Sequence, residues 1–419
     1  MHPSDDHGGT RARPPIALYV HVPFCFSLCP YCDFVVYAGS AVRGPNARVT
    51  PFLRALHAEL ELRADALDRD FGVPGGAGRP LLRSVYFGGG TPSLLAPSVI
   101  GALLERAERR FGLAVDGEVT IEANPGSDER GDMAGFRAAG VTRLSLGAQS
   151  LDPAELRRLG RRHRPDDVGA ALDESRRAGI AHRSIDLLYD LPAASFATWQ
   201  VTVERALELP IDHLSAYALT LDDPEAEGLA GPAGDHLPVR PGARRWRERA
   251  RGAQDPDRAA DAYAWLDERS TAAGFTWYEI SNWARPGGQS RHNLAYWRRE
   301  PYAALGPGAH AFDGARRRSW NAARLDRYVA ALDPADGSPA RLPPGGEERL
   351  DEHAVSVETA MLGLRLGEGL KSAPTGDAAV SRALSWAIAN GLAEAAGEER
   401  TRLTVKGRLL SNEVFARLG

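Results

Sequence analysis

The sequence predicts an α/β protein: a partial (β/α)6 barrel of TIM type, an α+β extension and a small C-terminal winged-helix-like domain. Three observations predict it. From Ile16 onward, short β-branched runs alternate with segments of helical period, the pattern of βα units around a parallel sheet. Six such units can be read, too few to close an eight-stranded barrel. Polar residues end several of the otherwise apolar strands, and in barrels of this kind the C-terminal ends of the strands form the active face.

The expected strands cover residues 17–22, 84–87, 118–123, 143–147, 184–189 and 213–219. After the first, Thr50 followed by Pro51 reads as a helix N-cap with proline at the first helical position, and Phe52, Leu56, Leu60 and Leu67 line one face. After the second, Ile100, Leu103, Leu104, Ala107 and Phe111 repeat that pattern. Residues 222–261 are rich in Ala, Gly, Pro, Asp and Arg with weak periodicity, so they read as an insertion or mobile connection. A helix over 261–273 and a strand over 275–280 follow, then a Pro/Gly-rich linker over 333–346. Helices over 352–366, 378–390 and 406–418, with a hairpin near 392–404, resemble a winged-helix module. The expected division is a disordered tail at 1–15, a barrel core at 16–225, an insertion and substrate-side extension at 226–335, and a C-terminal domain at 347–419.

With 419 residues and a net charge of −4, the chain has no overall pull towards nucleic acid or anionic membranes. The first fifteen residues lack an apolar signal segment, and no run approaches a membrane span. A cytoplasmic location is expected, where thiols stay reduced.

All three cysteines, Cys25, Cys29 and Cys32, lie in the run His21-Val-Pro-Phe-Cys-Phe-Ser-Leu-Cys-Pro-Tyr-Cys-Asp-Phe34. An odd number in one loop is no disulfide framework, and zinc sites ordinarily ask for a further ligand pair. Iron–sulfur ligation remains, with a three-ligand zinc site or unrelated thiols as the alternatives. A cubane cluster is normally held by four thiolates, so three leave one iron open.

Tyr86-Phe-Gly-Gly-Gly-Thr-Pro92 ends the second strand, where glycines let backbone come close to a ligand or simply make a tight turn. Glu122 and Gln149 end the third and fourth strands and Asp186 lies in the fifth, as rim acceptors or, for Glu and Asp, as helix caps. Arg161 stands in an arginine run that otherwise reads as a solvated helix face. A second constellation holds Tyr278-Glu-Ile-Ser-Asn282, Arg291-His292-Asn293-Leu-Ala-Tyr296-Trp297 and Tyr302-Ala-Ala-Leu-Gly-Pro-Gly-Ala-His310. Imidazole is a haem ligand, flat aromatics suit a macrocycle, and Arg291 or Arg316–Arg318 could pair with propionates. A hydrogen-bonded core histidine is the alternative.

Tyr-Val-His-Val-Pro-Phe-Cys, Cys-Pro-Tyr-Cys-Asp-Phe, Tyr-Phe-Gly-Gly-Gly-Thr-Pro-Ser, Glu-Ala-Asn-Pro, Arg-Leu-Ser-Leu-Gly-Ala-Gln-Ser, Tyr-Glu-Ile-Ser-Asn and His-Asn-Leu-Ala-Tyr-Trp occur in this order. Together they resemble the coproporphyrinogen-dehydrogenase-like radical S-adenosylmethionine (SAM) family, from residue 16 to the end. Coproporphyrinogen dehydrogenases carry a fourth cysteine two residues after the third, where this chain has Phe34. The Cys-Asp-Phe form and His-Asn-x-x-Tyr-Trp resemble the haem-chaperone branch instead.

The resemblance implies a 4Fe–4S cluster on Cys25, Cys29 and Cys32 and SAM contacts from Tyr19, Tyr31, Gly89, Gly90, Thr91, Glu122, Gln149, Arg161, Asp186 and Ala218. It also implies haem as a ligand, with His292, Asn293, Tyr296 and Trp297 as candidates. The function implied is a haem chaperone serving an apo-haemoprotein, with transient membrane contact and no nucleic-acid partner; the alternative is an oxygen-independent coproporphyrinogen III oxidase. Two segments depart from the family: Tyr189-Asp-Leu-Pro-Ala-Ala-Ser195 replaces Tyr-Gly-Leu-Pro-Gly-Gln-Thr, and Glu-x-Gly-Thr is missing around 222–228.

Overall fold

The computed structural model describes residues 11–44, 47–371, 377–397 and 399–418. Strands β1 (Ala17–Val22), β2 (Leu82–Gly89), β3 (Leu113–Ala123), β4 (Arg143–Gln149), β5 (His182–Tyr189) and β6 (His213–Ala218) pair in parallel in that order. Helices α1 (Val49–Phe71), α2 (Pro97–Phe111), α3 (Met133–Ala138), α4 (Pro153–Arg158), α5 (Pro165–Arg177) and α6 (Phe196–Leu207) fill the crossovers. The apolar faces read from the sequence are buried: Phe52, Leu56 and Leu60 on α1, and Ile100, Leu103, Leu104, Ala107 and Phe111 on α2. Full burial of one such side chain contributes roughly 1.5–3 kcal/mol, so these faces anchor both helices to the sheet. Helix α1 starts before the expected cap, with Arg48 rather than Thr50 at its N-cap position.

The extension lengthens the sheet at both edges. Helices α7 (Pro241–Arg251) and α8 (Pro256–Ala272) precede β7 (Thr276–Glu279) and β8 (Asn282–Ala284), and β8 pairs antiparallel with β6. After α9 (Arg291–Trp297), β9 (Tyr302–Leu305) lies parallel to β1, in register Ala17 with Tyr302. It is a seventh parallel strand where the sequence suggested six. Strands β10 (His310–Phe312), β11 (Arg317–Asn321) and β12 (Gly345–Arg349) then turn outward, with α10 (Leu325–Leu332) between the last two. The twelve strands run β12-β11-β10-β9-β1-β2-β3-β4-β5-β6-β8-β7, so the barrel stays open.

Two expectations need correction. Residues 222–261 are not simply a connection: they hold α7 and the start of α8, each with proline at its first turn, and Asp255 caps α8 by accepting from the Asp257 and Arg258 amides. Of the expected tail, residues 1–10 lie outside the described residues. Arg13, however, is tied down: its amide donates to Asp313 O at 2.8 Å and its guanidinium to Gly314 O at 2.7 Å and Arg299 O at 3.1 Å.

The C-terminal domain contains α11 (Glu352–Leu364), β13 (Leu370–Lys371), α12 (Ala378–Ala389), β14 (Ala393–Ala395), β15 (Arg400–Leu403), α13 (Val405–Leu409) and α14 (Ser411–Phe415). Its three strands form a separate antiparallel sheet, and Leu364, Val380, Leu384, Leu403 and Val414 belong to its own core. The expected last helix is two short ones, divided at Leu410. Arg408 joins the domain to the extension by pairing with Asp267 of α8 at 2.7 Å and lying 4.1 Å over the Trp277 ring of β7.

Candidate cluster and cofactor site

Just after β1, the chain makes the cysteine loop. The Cys25 amide donates to Tyr37 O and the Tyr37 amide to Pro23 O, closing the loop at its base. Gly90 N bonds Val22 O at 2.9 Å and Thr91 N bonds Phe24 O at 2.8 Å, lacing it to the glycine strip after β2. Packing dictates those glycines. A Cβ on Gly89, whose φ is +104°, would lie 2.3 Å from the His21 ring, and one on Gly90 would lie 2.7 Å from Phe24 O. The close approach that needs glycine is therefore between neighbouring strand ends.

The three thiols line one cavity of about 620 Å³ that continues down the open barrel past Glu122, Gln149 and Asp186 to His292 and Tyr296. Among the described residues no three His, Cys, Asp or Glu side chains meet closely enough to ligate one metal ion. A cubane asks for something else, since each cysteine holds a different iron. Burial pushes the Cys25 thiol up to about 11 and raises Cys32 as well, so without a metal both are neutral. A coordinating cation would remove those protons.

A relay of polar side chains joins two of the thiols. Arg161 donates to Cys29 Sγ at 3.6 Å, to Asn124 Oδ1 at 2.5 Å and to Gly147 O at 2.7 Å. Asn124 donates to Thr91 Oγ1 at 3.1 Å, and Thr91 donates to Cys25 Sγ at 3.4 Å. Arg161 Nε is buried with no partner of its own. A cluster with bound SAM suits this donor set: three thiols, cationic Arg161 beside them, and an unused buried donor.

Deeper in the cavity, Tyr86 OH and Gly89 N donate to the two Glu122 oxygens at 2.8 and 2.9 Å. Burial nevertheless pushes Glu122 up to about 7, and nearby Asp186 pushes in the same direction. Asp186 accepts from Ser145 Oγ at 3.1 Å; burial raises it to about 6. Gln149 sits at the end of β4 with φ +66°, in the left-handed region that β-strands avoid. Tyr19 OH donates to His21 Nδ1 at 3.0 Å, while His21 Nε2 donates to Val35 O at 2.8 Å. Tyr31 packs 6.4 Å from Trp246 of α7, and Ala218 lies at the exposed end of β6.

The His-Asn-x-x-Tyr-Trp segment is α9, with its first residues at the cavity floor. His292 is 1% exposed, and both ring nitrogens are engaged: Nδ1 with Ser84 Oγ at 2.9 Å and Nε2 with Tyr296 OH at 2.8 Å. Burial pulls it down to about 4, so it is neutral. Asn293 donates to Glu279 at 2.7 Å and lines the cavity, as Tyr296 does, whereas Trp297 does not. The suggested propionate partners are taken: Arg291 pairs with Asp116, Arg316 with Glu352, Arg317 with Glu347 and Arg318 with Glu348.

Sequence reasoning missed Asn124 and Arg247. Asn124 stands in the Glu-Ala-Asn-Pro motif, where its residue type alone does not mark it. Arg247, 3% exposed on α7, donates to Pro30 O at 3.2 Å, Tyr31 O at 2.9 Å, Cys32 O at 3.0 Å and Asp222 O at 2.6 Å. No pattern marked it, because α7 itself was not expected.

The Radical SAM superfamily matches residues 19–206. "Heme chaperone HemW" of Mycobacterium tuberculosis is 40% identical over 406 residues, covering 96% of this chain and 95% of that protein. The chain belongs to the HemW family of radical SAM proteins. Escherichia coli HemW is 35% identical over 297 residues, covering 71% of this chain and 70% of its own length. Among solved structures, coproporphyrinogen III oxidase (HemN) from Escherichia coli superposes with a TM-score of 0.75 at 21% identity, over 99% of this chain and 92% of that one. That likeness establishes the fold. Membership of the radical SAM superfamily implies a 4Fe–4S cluster and SAM, which the thiol-lined cavity suits. Among the described residues no helix is long and apolar enough to cross a membrane.

Proposed function

We propose that this HemW-family chain binds haem and passes it to an apo-haemoprotein. The observation that carries this reading is the 40% identity, along nearly the whole of both chains, with a protein named a heme chaperone. Phe34 supports it. That side chain stands where the dehydrogenase branch has a fourth cysteine and is 62% exposed at the cavity mouth. Cys25, Cys29 and Cys32 would hold the cluster. Glu122, with Gly89, Gly90 and Thr91 beside it, would receive the SAM amino group, and Asp186 and Gln149 its ribose. Ala218 would face the adenine, with Tyr19, Tyr31 and Arg161 completing the walls. When bound, cluster and SAM supply one-electron reductive chemistry that side chains lack.

What this chain's own groups do is hold charge and exclude water. Arg161 sets a fixed positive charge beside Cys29, and the neighbouring carboxyls of Glu122 and Asp186, both raised by burial, offer acceptors that a bound cation would bring back towards the charged form. His292, hydrogen-bonded on both sides, would have to release Ser84 or Tyr296 before it could ligate iron.

The test is anaerobic titration of the reconstituted chain with haem, followed by transfer to an apo-haemoprotein. Saturable binding and appearance of the acceptor's haem spectrum are expected. A chain that takes no haem above a background protein sinks the proposal. A parallel incubation with coproporphyrinogen III and a reductant should yield no protoporphyrinogen.

A further inference from the structure

Beside the cysteine loop, on the surface, lies a second hollow of about 220 Å³, lined by Pro232, His236, Pro238, Arg324 and Arg327 among others. We propose that it is a haem-docking site, with His236 as the iron ligand and Arg324 and Arg327 as the propionate partners. The inference rests on the haem-binding reading above and names where the cargo is first held.

His236 is oriented as a ligating histidine should be. Its Nδ1 donates to Asp235 Oδ1 at 2.9 Å, leaving Nε2, on the opposite edge of the ring, free of that bond. A carboxylate behind an imidazole fixes the tautomer and makes the other nitrogen a better donor to iron. Asp235 is itself held, because its second oxygen accepts from His310 Nε2 at 2.8 Å. His310 in turn stacks on Trp320, with ring centroids 5.6 Å apart and an interplanar angle of 22°. The loop carrying His236 is fastened to the sheet: Trp320 Nε1 donates to Ala233 O at 3.3 Å and Ala323 N to Gly234 O at 2.9 Å.

The arginines complete the argument. Unlike Arg291 and Arg316–Arg318, neither Arg324 nor Arg327 is paired with a carboxylate among the described residues; Arg327 donates only to Pro232 O at 3.2 Å. Two exposed guanidiniums without counterions, next to an imidazole backed by carboxylate and two proline rings, match a flat iron macrocycle with two acidic side chains. His292, by contrast, is enclosed and doubly bonded. The hollow also adjoins the cluster region: at Gly308, φ +72°, an added Cβ would lie 2.6 Å from Val35 and 3.0 Å from Asp235 O.

The test uses the full chain, titrated with haem and separately with haem dimethyl ester, whose propionates are blocked. His236→Ala is expected to weaken haem binding at least tenfold and to shift the Soret band. The double variant Arg324→Gln/Arg327→Gln is expected to weaken haem by a similar factor and leave the ester unaffected. If His236→Ala retains the wild-type affinity and spectrum, or if the loss is confined to His292→Ala, this site is overturned. A wild-type chain that takes no haem overturns the proposed function itself, which is a separate outcome.

Discussion

Replacing Arg247 by methionine tests how the cysteine loop is held. The guanidinium bonds four backbone carbonyls, three of them at Pro30, Tyr31 and Cys32. Methionine keeps much of the apolar stem and removes every donor. A hydrogen bond to a charged group contributes roughly 1.5–3 kcal/mol net, so four independent ones would exceed about 6 kcal/mol. They are not independent: one buried cation serves all four, and water entering its space would satisfy part of what is lost. We therefore expect about 3 kcal/mol of local destabilisation, confined to the loop because the neighbours of Arg247 on α7, Trp246 and Ala250, pack in a small cluster apart from the main core. If the cluster binds only the ordered loop, 3 kcal/mol is roughly a hundredfold in its retention. The assay is chelator challenge of the reconstituted protein, following iron content and visible absorbance, with thermal unfolding as control. Equal cluster lifetimes in Arg247→Met and wild type would refute the reasoning. Lysine at the same position, keeping the charge without the planar fork, should fall between them.

Three further outcomes are expected. Glu118 forms a buried pair with Arg143 at 2.9 Å and also receives Ser290 Oγ and His292 N, so Glu118→Ala should cost about 3–5 kcal/mol in urea unfolding by stranding a buried guanidinium; a loss below about 1 kcal/mol would contradict it. Ala193 holds φ +55°, a left-handed conformation that costs an L-residue roughly 1–2 kcal/mol, and Ala193→Gly should therefore raise stability by about 0.5–1 kcal/mol after the entropy of glycine is subtracted. Burial pushes Glu279 from 4.5 up to about 7, against hydrogen bonds from Ser281 N, Asn293 and Trp297, so the native state binds a proton that the unfolded chain has lost. Its contribution is then fully present below pH 4.5 and is lost as pH rises towards 7, a change on the order of 3 kcal/mol; Glu279→Gln should flatten that slope, and parallel pH curves for the two proteins would count against it.

The parts of the fold that were legible are those where one physical term dominates. Leu18, Val85, Ile121, Leu144, Ile185 and Leu214 are all fully buried, one on each of β1 to β6, and a strand covered on both faces reads as a largely apolar run. Helix α7 was hidden for the opposite reason. Its sequence, PGARRWRERAR, is mostly charged, and only Arg247 and Ala250 are buried, so there is no apolar stripe to read. The signal that was present is chemical: Pro241 and Pro256 stand where helices begin, and Asp255 precedes one of them as a cap. In the site, the cysteine loop and rim carboxylates could be found because their residue types are rare in such places. Asn124 could not, because its role comes from lying between Arg161 and Thr91, residues distant from it in sequence.

Residues 189–195 show what the departures from the family pattern cost. Where the resemblance leads one to expect glycine, the chain has Asp190 and Ala193, and both keep the left-handed backbone that glycine adopts freely, with φ of +56° and +55°. The turn therefore places two L-residues in a conformation better suited to glycine. For Asp190 the strain is offset locally: its carboxylate pairs with Arg258 and accepts the Asp255 amide at the start of α8. Ala193 has no polar side chain with which to gain a similar bond, so its strain stands uncompensated. Ser195 meanwhile caps α6 by accepting from Thr198 N at 3.1 Å, a role the threonine of the family pattern could fill equally. The two replaced glycines are therefore unequal: restoring glycine at 193 should only relieve strain, whereas at 190 it would also cut the tie between the fifth strand and the segment that carries Arg247 to the cysteine loop.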